Sequence, residues 1–396
     1  MSAEPILRKT RIVCISDTHN QTPKLPAGDV LIHAGDLTNQ GSFSELRKTI
    51  SWLEKAPFEA KIVVAGNHDI TLDESFYDQH GLYFHNQNPQ NPKECIRLLK
   101  SSPSITYLQN ESTTVQLTKP DGPQTRFTVF GSPYSPYCDS TWAFQYERED
   151  GQKIWDTIPL DTDILVTHAP PQHHCDTSSK GGPDGCKALR EALWRVRPSL
   201  HVCGHRHEGR GVHRVRWKLD LPMVKQLEAS TDIWRDPGAG TNKQSLVDLS
   251  AKGGNPIDTC YAHGTHVAEN HVSCSAAARP LPSSPVDVIP TSRALYCSPC
   301  LQPQPSQAVD AIISQNVTQS PMNALGQYDS GELISRLDSY RLAAVSGRLG
   351  KRETCVINAA IKAQSYNYGD PKRTNKPIVV DIDLPSWPNT GPGRRD

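Results

Sequence analysis

Five apolar, β-branched stretches of this sequence each run directly into residues that bind metal ions or carry protons. The residues that follow them are carboxylates, imidazoles and one amide: Asp17 and His19, Asp36, Asn67 with His68 and Asp69, His168, and His205 with His207. Mixed oxygen and imidazole ligands suit manganese, iron or zinc. Because ligands of an open α/β sheet bind at the carboxyl ends of its strands, we expect these side chains to converge on one site.

Each stretch alone has a plainer explanation, since a strand often ends in a polar turn that an aspartate caps. The repetition of the pattern after separate strands is what favours a metal site. Asp36, which stands alone after its strand, would then be shared between two metal ions. Two metals about 3.5–4 Å apart polarise a phosphoryl group and activate water for in-line attack.

The elements that must position these residues alternate between strand and helix. Residues 11–16, 29–34 and 61–65 are typical of buried strands. The capping-box sequence Ser42–Glu45 begins a helix that Pro57 ends. This order of strand, helix and strand predicts parallel pairing with a right-handed crossover. Further strands are predicted at residues 126–130, 163–168, 200–203, 354–361 and 378–384.

Composition and charge exclude several classes of function. Lys+Arg and Asp+Glu both number 42, so net charge favours neither a nucleic-acid polymer nor a membrane as partner. The 11 cysteines form no evident disulfide framework, and several stand in apolar runs. The amino-terminal residues lack an apolar signal region, and no window reaches the roughly 18 apolar residues of a membrane span. We therefore expect a cytoplasmic protein.

The motifs together resemble those of the calcineurin-like metallophosphoesterases: Asp17-x-His19, Gly35-Asp36, Gly66-Asn67-His68-Asp69, Thr167-His168 and Gly204-His205-x-His207. The resemblance covers about Arg11 to Trp217. Residues 16–20 and 205–209 resemble the metallophosphoesterase-domain-containing branch, whose members look like phosphodiesterases. The resemblance implies an α/β fold, a four-layer α/β/β/α sandwich in which two mixed sheets are flanked by helices.

The resemblance also implies a role for each residue at the strand ends. One divalent metal, manganese or iron or zinc, would be held by Asp17, His19, Asp36 and His207. A second would be held by Asp36, Asn67, His168 and His205. His68 would be the general acid that protonates the leaving oxygen. Asp69 would orient His68 without binding metal.

The leading functional hypothesis is a metal-dependent phosphodiesterase. It would hydrolyse a small phosphodiester or cyclic nucleotide by in-line attack of a metal-bridging hydroxide. One alternative is a phosphomonoesterase that acts as a protein phosphatase, and another is a catalytically weak metal-binding scaffold. The aromatic segment Tyr134–Tyr146 either lines a pocket for a base or ring or packs on the sheet. Arg206 and Arg210, next to the last motif, are candidates to attract a phosphate.

The sequence predicts three segments. Residues 1–217 would form the metallophosphoesterase core, and residues 353–396 would add strands that complete it. Between them, residues 218–352 are rich in Pro, Ser, Gly and Gln, which predicts a largely disordered insertion open to an unknown protein partner. Within that insertion, the sequence leaves open whether a zinc site forms and whether a short helix forms near Leu333, Leu337 and Leu342. The candidate zinc ligands are Cys260, His263, His266, Cys274, Cys297 and Cys300. Their spacing is irregular, which favours unstructured cysteines over a zinc site.

Overall fold

The structure is a computed structural model that describes residues 6–138, 141–179, 181–218, 227–258, 351–363 and 374–387. All these residues belong to one compact unit. The strands in these ranges are β1 (Leu7–Ile15), β2 (Val30–Ala34), β3 (Ala60–Val64), β4 (Thr106–Tyr107), β5 (Glu111–Gln116), β6 (Arg126–Ser132), β7 (Ser135–Pro136), β8 (Gln145–Tyr146), β9 (Ile164–Thr167), β10 (Leu200–Cys203), β11 (Gly211–Trp217), β12 (Glu228–Ile233), β13 (Ser245–Leu249), β14 (Glu353–Asn358) and β15 (Ile378–Pro385). The α-helices are α1 (Phe43–Lys55), α2 (Glu74–Phe84), α3 (Pro92–Lys100), α4 (Gly151–Trp155) and α5 (Lys187–Val196).

Two large sheets carry the fold. The first has the order β13-β15-β1-β2-β3-β4 and the second β12-β11-β14-β10-β9-β6-β5, while β7 and β8 pair separately. Strands β1, β2 and β3 are parallel neighbours, and β15 runs antiparallel to β1. In the second sheet β6, β9, β10 and β14 are parallel, and β11 runs antiparallel to β14. Both sheets are therefore mixed, as the resemblance implies.

Three hydrophobic cores separate four layers. Neighbouring residues of a strand face opposite sides of the sheet, so Ile12 and Val13 enter different cores. The core with Val13 packs the first sheet on α1, α2 and α3. The core with Ile12 joins the two sheets and includes Val202 of β10. The third packs the second sheet on α4 and α5, where Trp155 and Leu193 are buried. The predicted four-layer sandwich is confirmed.

The first crossover helix forms for the local reason that the sequence indicates. The Ser42 hydroxyl accepts a hydrogen bond from the backbone N–H of Glu45, and the Glu45 carboxylate accepts one from the backbone N–H of Ser42. This reciprocal capping satisfies amides that have no partner inside the helix. Leu46 and Leu53 then lie buried against the first sheet.

The prediction that residue 218 begins the insertion is wrong, because the chain forms two further sheet strands before residue 259. Strand β12 pairs with β11 in the second sheet, and β13 pairs with β15 in the first. Five of the six residues of β12 are exposed. Because an exposed strand needs no apolar face, its sequence lacks the apolar alternation that indicates a strand. The predicted zinc-site residues and the predicted helix near Leu333 lie outside the described residues and stay predictions.

Two further observations concern the cysteines and membrane spans. Cys14, Cys203 and Cys355 are buried free thiols, which agrees with their apolar sequence surroundings. Among the helices of the described ranges, none combines the length and the apolar character that a membrane crossing requires.

We predict that a short Gly/Ser linker can replace residues 259–350 without loss of the fold. The backbone N–H of Asp258 donates to the Glu353 carboxylate at 2.9 Å, so the two flanks of this stretch lie side by side. A shorter flexible connection lowers the entropy cost of bringing its two ends together by about 0.6 kcal/mol per halving of its length. Circular dichroism should show one cooperative unfolding transition at a Tm no lower than that of the full chain. A broad transition, or insoluble protein, would contradict the prediction.

Candidate metal centre and active site

The strand ends bring the predicted ligands together from both sheets. The loops directly after the parallel neighbours β1, β2 and β3 carry Asp17, Asp36 and Asn67, and those after β9 and β10 carry His168 and His205. All seven predicted ligands lie in one cluster, because ligand atoms of Asp17, Asp36 and His168 lie within 4.8 Å of one another. Five shorter distances join the remaining residues to these three, His205 through Asn67: His207 Nε2–Asp17 Oδ1 3.3 Å, His19 Nε2–Asp36 Oδ2 3.5 Å, His168 Nε2–Asp36 Oδ1 3.4 Å, His168 Nε2–Asn67 Oδ1 3.0 Å and His205 Nδ1–Asn67 Oδ1 2.8 Å. The convergence expected from the sequence is therefore present.

Asp36 occupies the middle of the cluster. Within each of three groups of side chains, the ligand atoms lie within 4.8 Å of one another. The groups are Asp17 with His19 and His207, His19 with Asp36 and His68, and Asp17 with Asp36 and His168. Asp36 belongs to two of them, which is the position that a carboxylate shared by two metals requires. His68 lies beside the same atoms.

The donor atoms fit a metal. His168 Nδ1 lies 2.9 Å from the carbonyl oxygen of Ala34, and because a carbonyl only accepts, the ring proton is assigned to Nδ1. In the neutral ring, Nε2 then directs a lone pair at the Asn67 and Asp36 oxygens. Three acceptors that face one another are unfavourable unless a cation lies among them. The buried Nε2 atoms of His19 and His205 likewise have no hydrogen-bond partner in the described part of the chain.

The backbone beneath the ligands is strained. Asp17, His19, Asp36 and His205 have φ angles of 52°, 43°, 54° and 65°, in the left-handed region that residues other than glycine rarely adopt. Each such residue costs about 1–3 kcal/mol. Hydrogen bonds between loops hold the conformation: the N–H of Asp17 donates to Gly35 O, that of His19 to Asp36 O, and that of His205 to the Asp17 carboxylate.

Charge and burial oppose each other in the cluster. Burial alone would raise the pKa of Asp17, but its hydrogen bond with His207 and the nearby imidazoles hold that pKa well below its usual range. Burial would likewise raise the pKa of Asp36, but the nearby charges of His168, His68 and His19 together lower it to about 2. Burial lowers the pKa of His19 to about 4, against the pull of Asp36 and Asp17. Near pH 7 both carboxylates are ionised and His19 is neutral, which is the state that binds metal.

The predicted role of Asp69 is wrong, because its carboxylate hydrogen-bonds to other groups and not to the His68 ring. The turn closed by the hydrogen bond from Asp69 N to Gly66 O carries Asp69 back into the protein. There its carboxylate accepts hydrogen bonds from the backbone N–H groups of Gly66, Leu37 and Thr38 and from the Thr38 hydroxyl. Burial and the charge of Asp36 raise the pKa of Asp69 to about 6. Asp69 thus ties together the loops that follow β2 and β3.

His68 is oriented by other groups, which the sequence reasoning missed. Its Nδ1 donates to the carbonyl oxygen of Asn39 at 2.9 Å, and its ring packs on Trp142 with centroids 4.2 Å apart. A backbone carbonyl leaves no signal in residue type, so the sequence cannot reveal Asn39. The aromatic composition of Tyr134–Tyr146 is the one signal for Trp142, since one of the two interpretations of this segment was that it lines a pocket.

Comparison with known proteins places this site in context. The family model described as calcineurin-like phosphoesterase matches residues 10–209, which include every predicted ligand. Metallophosphoesterase domain-containing protein 1 of Homo sapiens is 40% identical over 214 residues, which cover 51% of this chain and 62% of that protein. A protein of Emericella nidulans named probable rhamnogalacturonate lyase C is 46% identical over 226 residues, which cover 57% of this chain but only 20% of that protein.

The chain therefore spans less than two thirds of the length of both relatives. A solved structure from Thermus thermophilus covers 50% of this chain and 82% of its own, at 12% identity and a TM-score of 0.33. That score is too low to support an inference about this chain.

We predict that Gly204→Ala disrupts the metal site. A Cβ atom at residue 204 would overlap the Ser16 hydroxyl and the Asp17 carboxylate, so β1 and β10 could not keep their separation. Overpacking of this kind costs about 1–3 kcal/mol. Urea unfolding of metal-free protein should show this loss, and isothermal titration with Mn²⁺ should show weaker binding. Gly211→Ala is the matched control, because the nearest atom to its Cβ lies 3.8 Å away. Equal stability and equal affinity of the two variants would refute the assignment.

We also predict that Asp69→Ala destabilises the protein more than His68→Ala. Loss of the Asp69 carboxylate leaves three buried backbone N–H groups without an acceptor, and each unsatisfied donor costs about 1–3 kcal/mol. His68 is partly exposed, so its removal should change the free energy of unfolding by less than about 1 kcal/mol. Urea unfolding of both metal-free variants measures the difference. Equal losses would mean that Asp69 does not hold the loops together.

Proposed function

The chain belongs to the calcineurin-like phosphoesterase family, and on that premise we propose that it is a metal-dependent phosphodiesterase acting on a small phosphodiester. The observation that carries the proposal is the position of Asp36, between two sets of donor atoms and beside His68. A cyclic nucleotide is one substrate of this class.

The residues divide into two metal-binding sets around Asp36. Asp17, His19 and His207 would complete one set, and Asn67, His168 and His205 the other. Two divalent ions bound there would supply Lewis-acid stabilisation of the phosphoryl oxygens and a water of lowered pKa. The neutral amide of Asn67 adds no negative charge to a site that must also accept an anionic phosphate.

His68 would supply the proton for the leaving group. Hydrolysis forms a bond from water oxygen to phosphorus and breaks the bond to the leaving oxygen, which must gain a proton. The Asn39 carbonyl holds the Nδ1 proton, so Nε2 is the atom from which His68 can donate. The ring is partly exposed, as a group that meets substrate must be.

The charges near the site support a diester over a monoester. Arg206 pairs with Asp184 at 2.6 Å and Arg210 with Asp236 at 3.0 Å, so neither guanidinium brings an uncompensated charge to the phosphate. The charge of Lys362 does reach the site: burial is the main cause that lowers the pKa of His19, and Lys362 adds a smaller contribution. A diester carries a single negative charge near neutral pH, whereas a monoester approaches two. Beyond the two metals, the side chains therefore add little positive charge, which suits the singly charged diester better.

The substrate class is tested by turnover of bis-p-nitrophenyl phosphate against p-nitrophenyl phosphate. With manganese-loaded full chain we expect kcat/KM for the diester to exceed that for the monoester. A preference for the monoester would favour a phosphatase. Two bound metals per chain with no turnover of either ester would favour a metal-binding scaffold instead.

The role of His68 is tested by His68→Ala across a series of aryl methyl phosphodiesters whose phenols differ in acidity. Without an acid, turnover of the least acidic phenol should fall by about 10²- to 10⁴-fold. The p-nitrophenyl ester should lose much less, because its phenolate leaves readily without a proton. Manganese content, measured by elemental analysis, should not change. A uniform loss across the series would exclude the acid role.

A further inference from the structure

We propose that Trp142 and Phe84 form an aromatic platform, continuous with His68, that binds a planar ring on the leaving alcohol of the phosphodiester. This inference rests on the function proposed above and names the substrate class more closely. The favoured substrates are diesters whose leaving group carries an aryl ring or a heteroaromatic base.

The rings form an unbroken series from the proton donor outward. The ring centroids of His68 and Trp142 are 4.2 Å apart, with the planes inclined at 36°. Those of Trp142 and Phe84 are 5.2 Å apart, and those of Phe84 and Tyr83 are also 5.2 Å apart. Tyr83 is 85% exposed, so the series ends in solvent. A leaving group that takes its proton from His68 therefore meets Trp142 first and Phe84 next.

One carboxylate braces the two segments that supply the platform. Asp73 caps α2, which carries Phe84, because its Oδ1 accepts from the N–H of Phe76 at 3.0 Å. Its Oδ2 accepts from the N–H of Phe144 at 2.9 Å, two residues beyond Trp142. The N–H of Trp142 in turn donates to the Gln145 side chain at 2.8 Å. The two segments that carry the rings are thus held in place before any substrate arrives, which lowers the entropy cost of binding.

Both rings pack against the hydrophobic core of the first sheet, but only in part. Ala143 and Phe144, which follow Trp142, are by contrast buried in that core at 0% and 2% exposure. Trp142 and Phe84 keep part of their surface open to solvent. Partly exposed aromatic rings beside a polar centre are the usual arrangement for binding a planar ligand group.

The kinetic test compares methyl phenyl phosphate with methyl hexafluoroisopropyl phosphate, whose leaving alcohols have similar acidity but only one of which is aromatic. We expect wild-type manganese-loaded protein to prefer the phenyl ester. A ring stacked on an aromatic side chain gains about 5- to 150-fold. Because Trp142 also packs on His68, Trp142→Leu should lower kcat/KM for both esters, and for the phenyl ester at least fivefold more than for the fluoroalkyl ester. Trp142→Phe should restore most of the preference, and Phe84→Leu should lose part of it.

A binding test separates failure of this inference from failure of the proposed function. Methyl benzylphosphonate and methyl cyclohexylmethylphosphonate keep the single negative charge of a diester and carry a methylene group in place of the leaving oxygen, so neither can be hydrolysed there. Isothermal titration of the manganese-loaded full chain should show tighter binding of methyl benzylphosphonate, and Trp142→Leu should abolish the difference. If no ester is turned over but this difference is found, the platform stands and the proposed hydrolysis fails. If Trp142→Leu affects both phosphonates equally, or neither, the platform is refuted whatever the enzymatic result.

Discussion

The whole arrangement depends on two carboxylates, Asp17 and Asp36, buried at the ends of neighbouring parallel strands. A buried charge is costly unless cationic or hydrogen-bonding partners surround it. The partners here are imidazoles, and most of them come from the other sheet: His168 follows β9, while His205 and His207 follow β10. The two sheets must therefore face each other with their strand ends aligned. The core between them, which includes Ile12 and Val202, fixes that alignment.

Close approach of the two sheets places further demands on the loops. Four of the ligand residues adopt left-handed backbone angles, and Gly204 allows the loop after β10 to pass against Ser16 and Asp17. A third buried carboxylate, Asp69, compensates by gathering the amides of the neighbouring loops. The strain is thus localised where the ligands must be held, as is common at functional sites.

Sequence reasoning predicted the buried strands and the cluster of ligands because both depend on patterns of residue type, whereas the four layers followed from the resemblance to the calcineurin-like metallophosphoesterases. Buried parallel strands leave continuous apolar runs, and polar residues directly after them mark the strand ends. It failed where the decisive group leaves no such pattern. The Asn39 carbonyl that orients His68 belongs to the backbone, and the exposed edge strand β12 resembles a loop in composition. The direction of the Asp69 side chain depends on a single turn, which the order of residues 66–69 does not specify.

Anomalous scattering from a crystal of manganese-loaded protein tests the central claim most directly. We expect two manganese peaks in each chain, both within coordination distance of the Asp36 carboxylate. Asp17, His19 and His207 should surround one, and Asn67, His168 and His205 the other. A single peak, or two peaks that do not share Asp36, would contradict the account.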